Sequence, residues 1–115
     1  MVTSTKQTSR EVVECLKVIS DPTRLLIMKL VEQKEYCVCQ FVDMFAISQP
    51  AISQHLRKLK QAGLVKEDRR GQWRYYSIDE SSVHSHLVKG ILNHIDKEDE
   101  QFNLLLSKET PVNCK

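Results

Sequence analysis

The chain has 115 residues, 28% charged and 41% hydrophobic, with a net charge of +2, which suits one domain with a modest core. No apolar run approaches the roughly 20 residues of a membrane span, and the opening MVTSTKQTSR lacks the apolar stretch of an export signal, so the expected compartment is the cytoplasm. There is no Gly-rich phosphate loop, no Cys-x-x-Cys redox motif and no catalytic grouping of Ser, His and acid, so no enzyme is expected.

Residues 1–7 are polar and read as a flexible N-terminus. Thr8-Ser9-Arg10-Glu11 fits a capping box, which predicts a helix from there to Ile19 with Val12, Val13, Leu16 and Ile19 on its apolar face and Cys15 beside it. Asp21 as cap and Pro22 at the first helical position restart the chain as a second helix over 22–33, burying Leu25, Leu26, Met28, Leu30 and Val31. A short third helix is expected over 35–45, with Phe41, Val42 and Phe45 inward.

Ser48 then caps a fourth helix whose apolar stripe is Ile52, Leu56 and Leu59, closed by Gly63. Its other face carries amide, hydroxyl and basic side chains. Two short strands are predicted at 64–67 and 73–78, joined by Asp68-Arg69-Arg70-Gly71-Gln72. Residues 47–78 hold seven Lys or Arg against two acids, a local charge of +5 in a chain of +2. Amide and hydroxyl groups read base edges, while Arg and Lys hold phosphates. The helix is therefore expected to enter a DNA groove. After Asp79 the pattern reads as helix again, with a long apolar stripe from Val83 to Leu105 that has no evident partner inside so small a chain. The domain is expected over 8–106, followed by a loose tail, 107–115.

Four pieces, ISDPTRLLIMKLV (19–31), EYCVCQF (35–41), ISQPAISQHLRKLKQAGLV (47–65) and RRGQWRYYSI (69–78), resemble the ArsR/SmtB family of winged helix-turn-helix metal-sensing repressors. The resemblance implies a mainly helical fold with a small β-hairpin wing and a homodimer joined through the first and last helices. It also implies double-stranded operator DNA as partner, with no cofactor needed for DNA binding. On this reading Gln49, Ser53, Gln54 and His55 lie at or near base edges, and Ser48, Arg57, Lys58, Arg69, Arg70 and Arg74 contact phosphate or form the wing. Two-fold symmetry sets half-sites about 10 bp apart or a multiple of it.

Cys37-Val38-Cys39 is the chemical feature. On a regular helix the two thiols differ by about 200°. They converge only if Cys37 sits at or before the helix start, where free N–H groups also favour thiolate. Paired thiolates select soft ions such as As(III), Sb(III), Cd, Pb, Cu(I) or Zn. EYCVCQF resembles the ELCVCDL element that carries such ligands in the family. The arsenical repressors place a third cysteine where this chain has Val42, so Cys15 or Cys114 is the remaining candidate, with Cys15 favoured for lying on an ordered helix. Two buried core thiols are the alternative. The expected inducer is arsenite or antimonite; the alternatives are another soft metal (Cd, Pb, Zn) or oxidation of the thiols to a disulfide or persulfide, as in a redox or sulfide sensor. A zinc site from Asp79, His84 and His94, near His86, Glu80, Asp96 and Glu98, departs from the family's zinc pattern in at least two ligands.

Overall fold

The structure is a computed structural model in which residues 6–112 are described. Helices α1 (Ser9–Ile19) and α2 (Pro22–Gln33) precede strand β1 (Tyr36–Cys37), helices α3 (Val38–Phe45) and α4 (Gln49–Gln61), strands β2 (Val65–Arg70) and β3 (Trp73–Ile78), and helices α5 (Ser85–Leu92) and α6 (Glu100–Ser107). The sheet is antiparallel, in the order β1-β3-β2.

Local chemistry sets most boundaries. The Thr8 hydroxyl accepts from Glu11 N–H at 3.1 Å while the Glu11 carboxylate accepts from Thr8 N–H at 2.9 Å, the reciprocal box expected. Asp21 caps α2 by accepting from Arg24 N–H at 3.0 Å, with Pro22 in the first turn. Ser48 caps α4, accepting from Ala51 N–H at 3.3 Å. Gly63 follows α4 at φ +76 and Gly71 sits in the hairpin turn at φ +62, both in left-handed space that glycine enters without steric cost.

The core gathers from every helix and from the sheet: Cys15, Ile27, Leu30, Tyr36, Phe41, Met44, Ile52, Leu56, Leu59 and Leu92 are all fully buried. Burial of one such side chain is worth about 1.5–3 kcal/mol. Phe41 packs between Tyr36 and Phe45, with ring centroids at 5.5 and 6.4 Å. No helix among the described residues is long and apolar enough to cross a membrane.

Four sequence expectations change. The hairpin is longer, because β2 runs on to Arg70 and the turn shrinks to Gly71-Gln72. The third helix starts only at Val38, since Tyr36 and Cys37 pair with Tyr76 and Tyr75 as a strand. The last apolar stripe is two short helices: the Asp96 carboxylate accepts from Glu98 N–H at 2.8 Å in a turn, and Asp99 caps α6 by accepting from Phe102 N–H at 2.9 Å. On α1 the buried face is Cys15 and Ile19, while Val13 and Leu16 remain 47% and 45% exposed.

Candidate functional site

Helices α3 and α4 form a helix-turn-helix. The turn needs one left-handed residue, Ala46 at φ +55, before Ser48 opens α4. On α4 the stripe Ile52, Leu56, Leu59 is buried, and Gln49, Gln54, Arg57 and Lys58 stand exposed on the opposite side. Ser48 is exposed but its hydroxyl serves the helix cap, and Ser53 is half-buried.

His55 turns away from that exposed face. Its Nδ1 lies 3.2 Å from Nη1 of Arg24 and 3.8 Å from the Asp21 carboxylate. A guanidinium only donates, so Nδ1 is the acceptor and the ring proton sits on Nε2. Arg24 also donates from Nε to the Val18 carbonyl at 2.6 Å. The pair thus joins α4 to α2 and to the end of α1. His55, expected at or near base edges, makes this packing contact in the structure.

The wing arginines differ from one another. Arg69 is exposed and stands directly opposite Arg74 across the hairpin, an arrangement of like charges that an anion between them would relieve. Arg74 is half-buried, 3.9 Å from Glu67. Arg70, expected on phosphate, is taken up by Glu35 and Asp68, and these hydrogen bonds, Glu35 first, hold its guanidinium even further above neutrality than usual. Lys60 donates to Glu67 at 2.7 Å, which lowers that carboxyl's pKa against the opposing effect of burial.

The sulfur pair lies at the α3 start, Cys37 as a free thiol and Cys39 in a disulfide. Cys37 is the N-cap residue, with extended backbone (φ −94, ψ 162), so its side chain departs from the helical direction and the two Sγ atoms meet at 2.9 Å. Cys37 is buried, and Cys39 is partly exposed. Both open on a cavity of about 350 Å³ lined by Val38, Val42, Asp43, Gln49, Gln72, Trp73 and Arg74. One space therefore touches the sulfurs, the first residue of α4 and the first two residues of β3.

Gln40 supports this corner and was missed in the sequence, although Cys37-x-x-Gln40 has capping-box spacing with a thiol in place of the hydroxyl. It is 5% exposed. Its Oε1 accepts from Cys37 N–H at 3.0 Å and its Nε2 donates to the Thr110 carbonyl at 2.8 Å. An unpaired amide at this depth would cost about 1–3 kcal/mol.

Cys15 is not brought to the pair. It is fully buried on α1, lies outside the cavity lining, and desolvation raises its thiol pKa. A thiol so enclosed cannot meet a ligand from its own or a second chain without opening the core. Cys114 lies outside the described residues. The zinc alternative gains no assembled site. His84 is buried at the α5 start with its Nδ1 2.6 Å from Gln7 Nε2, and His86 and His94 are exposed. Among the described residues no three His, Cys, Asp or Glu side chains converge as a metal site.

Comparison with known proteins follows the same lines. The family described as bacterial regulatory protein, arsR family, matches residues 21–67, from the α2 cap through the helix-turn-helix into β2. The transcriptional repressor SdpR of Bacillus subtilis is 40% identical over 83 residues, 72% of this chain and 91% of that protein. An arsenic resistance transcriptional regulator of Pseudomonas putida is 40% identical over 63 residues, 54% of this chain and 49% of that protein. The solved structure of reduced HlyU from Vibrio cholerae is similar with a TM-score of 0.66 at 27% identity, covering 74% of this chain and 88% of that one.

Proposed function

The chain belongs to the arsR family of bacterial regulatory proteins, and from that premise we propose that it is a homodimeric repressor that leaves its operator when arsenite or antimonite binds at Cys37 and Cys39. It is a DNA-binding transcriptional regulator, not an enzyme. Exposed Gln49 and Gln54 on α4 read base edges in the major groove, with Ser53 close behind. Arg57, Lys58 and the Arg69–Arg74 pair hold phosphates.

A second copy of the chain covers α1 and α6. Val13 and Leu16 on α1 and Leu104 on α6, 56% exposed, are large apolar side chains left outside the single-chain core. A core of this size gains from such added burial.

The observation that carries the inducer reading is the shared cavity. The Cys37 and Cys39 sulfurs, 2.9 Å apart, line the same space as Gln49 of the groove-reading helix and Arg74 of the wing. Once the Cys39 disulfide is reduced by a cellular thiol, the two soft thiolates select thiophilic ions, and an ion held there presses on both DNA-contacting elements. Linkage then requires DNA to weaken ion binding by the factor by which the ion weakens DNA binding.

The test is release of a fluorescent duplex carrying the protein's own upstream DNA. Arsenite should release the wild type and leave Cys37→Ser and Cys39→Ser bound with unchanged affinity. Full arsenite response in both variants would remove the pair from the site. Release by cadmium or by peroxide, with arsenite inert, would transfer the site to the alternative signals.

A further inference from the structure

The two flanks of α4 differ. Lys58 and Lys60 stand two positions apart, so their side chains leave the helix about 200° apart. Lys60 reaches the wing, where it donates to Glu67 at 2.7 Å. Lys58 lies on the other flank. There it lines an open groove of about 350 Å³ with Lys17 and Val18 of α1, Arg24 of α2, and Gln61 and Ala62 at the end of α4. Three cations border this groove, and among the described residues none of those lining it is acidic. Lys17 and Lys58 are exposed, and each sits in the last turn of its helix, where a cation offsets the helix dipole. That effect accounts for each lysine singly. It does not account for their meeting at one groove with Arg24, because like charges brought together repel unless an anion lies between them. Among the described residues neither ammonium is paired with a carboxylate, whereas Lys29, Lys34, Lys60 and Lys89 all are. Arg24 commits its Nε to the Val18 carbonyl and one Nη1 donor to His55, which leaves the rest of its five donors for a ligand.

We propose that this groove seats a phosphate of the operator backbone, with Lys17, Arg24 and Lys58 as its donors. The proposal rests on the reading of α4 as the groove-reading helix, and it adds α1 and α2 to the elements that touch DNA. The wing holds backbone on one flank of α4, and the Lys17 groove holds it on the other. Helix α1 also leaves Val13 and Leu16 exposed for the second copy. The seat therefore lies on the side of each half-site nearer the two-fold axis, and the wing on the side away from it. A phosphate held there ties the dimer helix directly to the duplex.

The test is binding of the full chain to its own upstream duplex over a salt series, with methylphosphonate substitution to remove one backbone charge at a time. Lys17→Ala should lower the slope of log affinity against log salt by about 1 and weaken cognate and random duplexes alike. Its urea midpoint should stay where it is, since the side chain is exposed. Lys17→Arg keeps the charge and should restore the slope. Methylphosphonate at one position on the axis side of each half-site should cost the wild type about threefold or more and cost Lys17→Ala nothing further, the non-additivity of two groups in contact. Losses that simply add, or a sensitive position found only on the wing side, would overturn the assignment. An unchanged slope in Lys17→Ala, with a unit lost in Arg57→Ala, would remove the phosphate from the groove and leave the reading of α4 intact. If the wild type does not distinguish its upstream DNA from random duplex at any salt, the reading of α4 falls and the seat with it.

Discussion

Arg70 grips Glu35 through both terminal nitrogens, at 2.6 and 2.8 Å, while its Nε holds Asp68 at 2.8 Å and its plane lies 4.5 Å from the Tyr75 ring centroid. A guanidinium engaged by two carboxylates brings no net charge to a phosphate. It ties the end of β2 to the residue just before β1 and the thiol pair. Arg70→Ala should therefore leave the salt dependence of DNA binding within half a unit of wild type. Arg69→Ala, which removes a proposed phosphate contact, should lower the slope by about 1. A full unit lost on Arg70→Ala would put that side chain on the DNA.

On α4 the division between reading and holding gives a second contrast. Gln54→Ala should relax base preference at one operator position by about 1–3 kcal/mol. Arg57→Ala should weaken cognate and random duplexes by the same factor. Binding measured across a set of single-base operator variants separates the two behaviours; equal losses on every variant for Gln54→Ala would place it on phosphate or off the DNA.

His55 sits between these residues in sequence but faces Arg24 and Asp21 in space. His55→Ala should cost about 1–2 kcal/mol of folding stability, because half-buried Arg24 loses an acceptor. The preference among operator variants should stay unchanged. Urea unfolding with a constant m-value gives the first quantity; a changed base preference would return His55 to the groove.

Where a side chain acts on its near neighbours, the sequence announces it. Thr8 with Glu11, Asp21 with Pro22, and Ser48 with the Ile52, Leu56, Leu59 stripe place three helices to within a residue or so, because capping and 3.6-residue periodicity are short-range effects. The convergence of Cys37 and Cys39 also follows from a local condition, an extended N-cap. What stays hidden depends on distant partners. Tyr36-Cys37 becomes a strand only because Tyr76 and Tyr75 are available about forty residues later. His55 has the polarity of a base reader, and only the packing of α2 on α4 redirects it. The docking of Glu109 and Thr110 pairs residues some seventy positions apart, and no spacing rule reports such a pair.

The exposed apolar side chains of α1 give a test of assembly. Leu16→Glu puts a carboxylate into the face assigned to the second subunit. It should raise the dimer dissociation constant at least a hundredfold, roughly the loss of one buried leucine plus the burial cost of a charge. Monomer stability should change by less than about 0.5 kcal/mol, since the residue is exposed in the single chain. Sedimentation across a concentration series checks the first, and an unshifted dimer would move the interface elsewhere.

Acid should loosen the docking of Glu109 on Lys34 and Tyr36 before it unfolds the domain. The Lys34 hydrogen bond pulls the Glu109 carboxyl below its ordinary value of 4.5; partial burial opposes it, and the Tyr36 hydroxyl adds to the lowering. A depressed folded-state pKa contributes stability that is complete above the unfolded value and disappears as pH falls through the folded one. The wild type should exceed Glu109→Gln by about 1 kcal/mol from pH 7 down to about 5. That gap should then close below pH 4.5, as protonation of Glu109 leaves the wild type with the neutral side chain the variant always has. Urea midpoints of the two proteins from pH 7 to pH 3 measure it. A gap that is flat through this range, or that widens on acidification, would show that the Glu109 charge does not hold the tail.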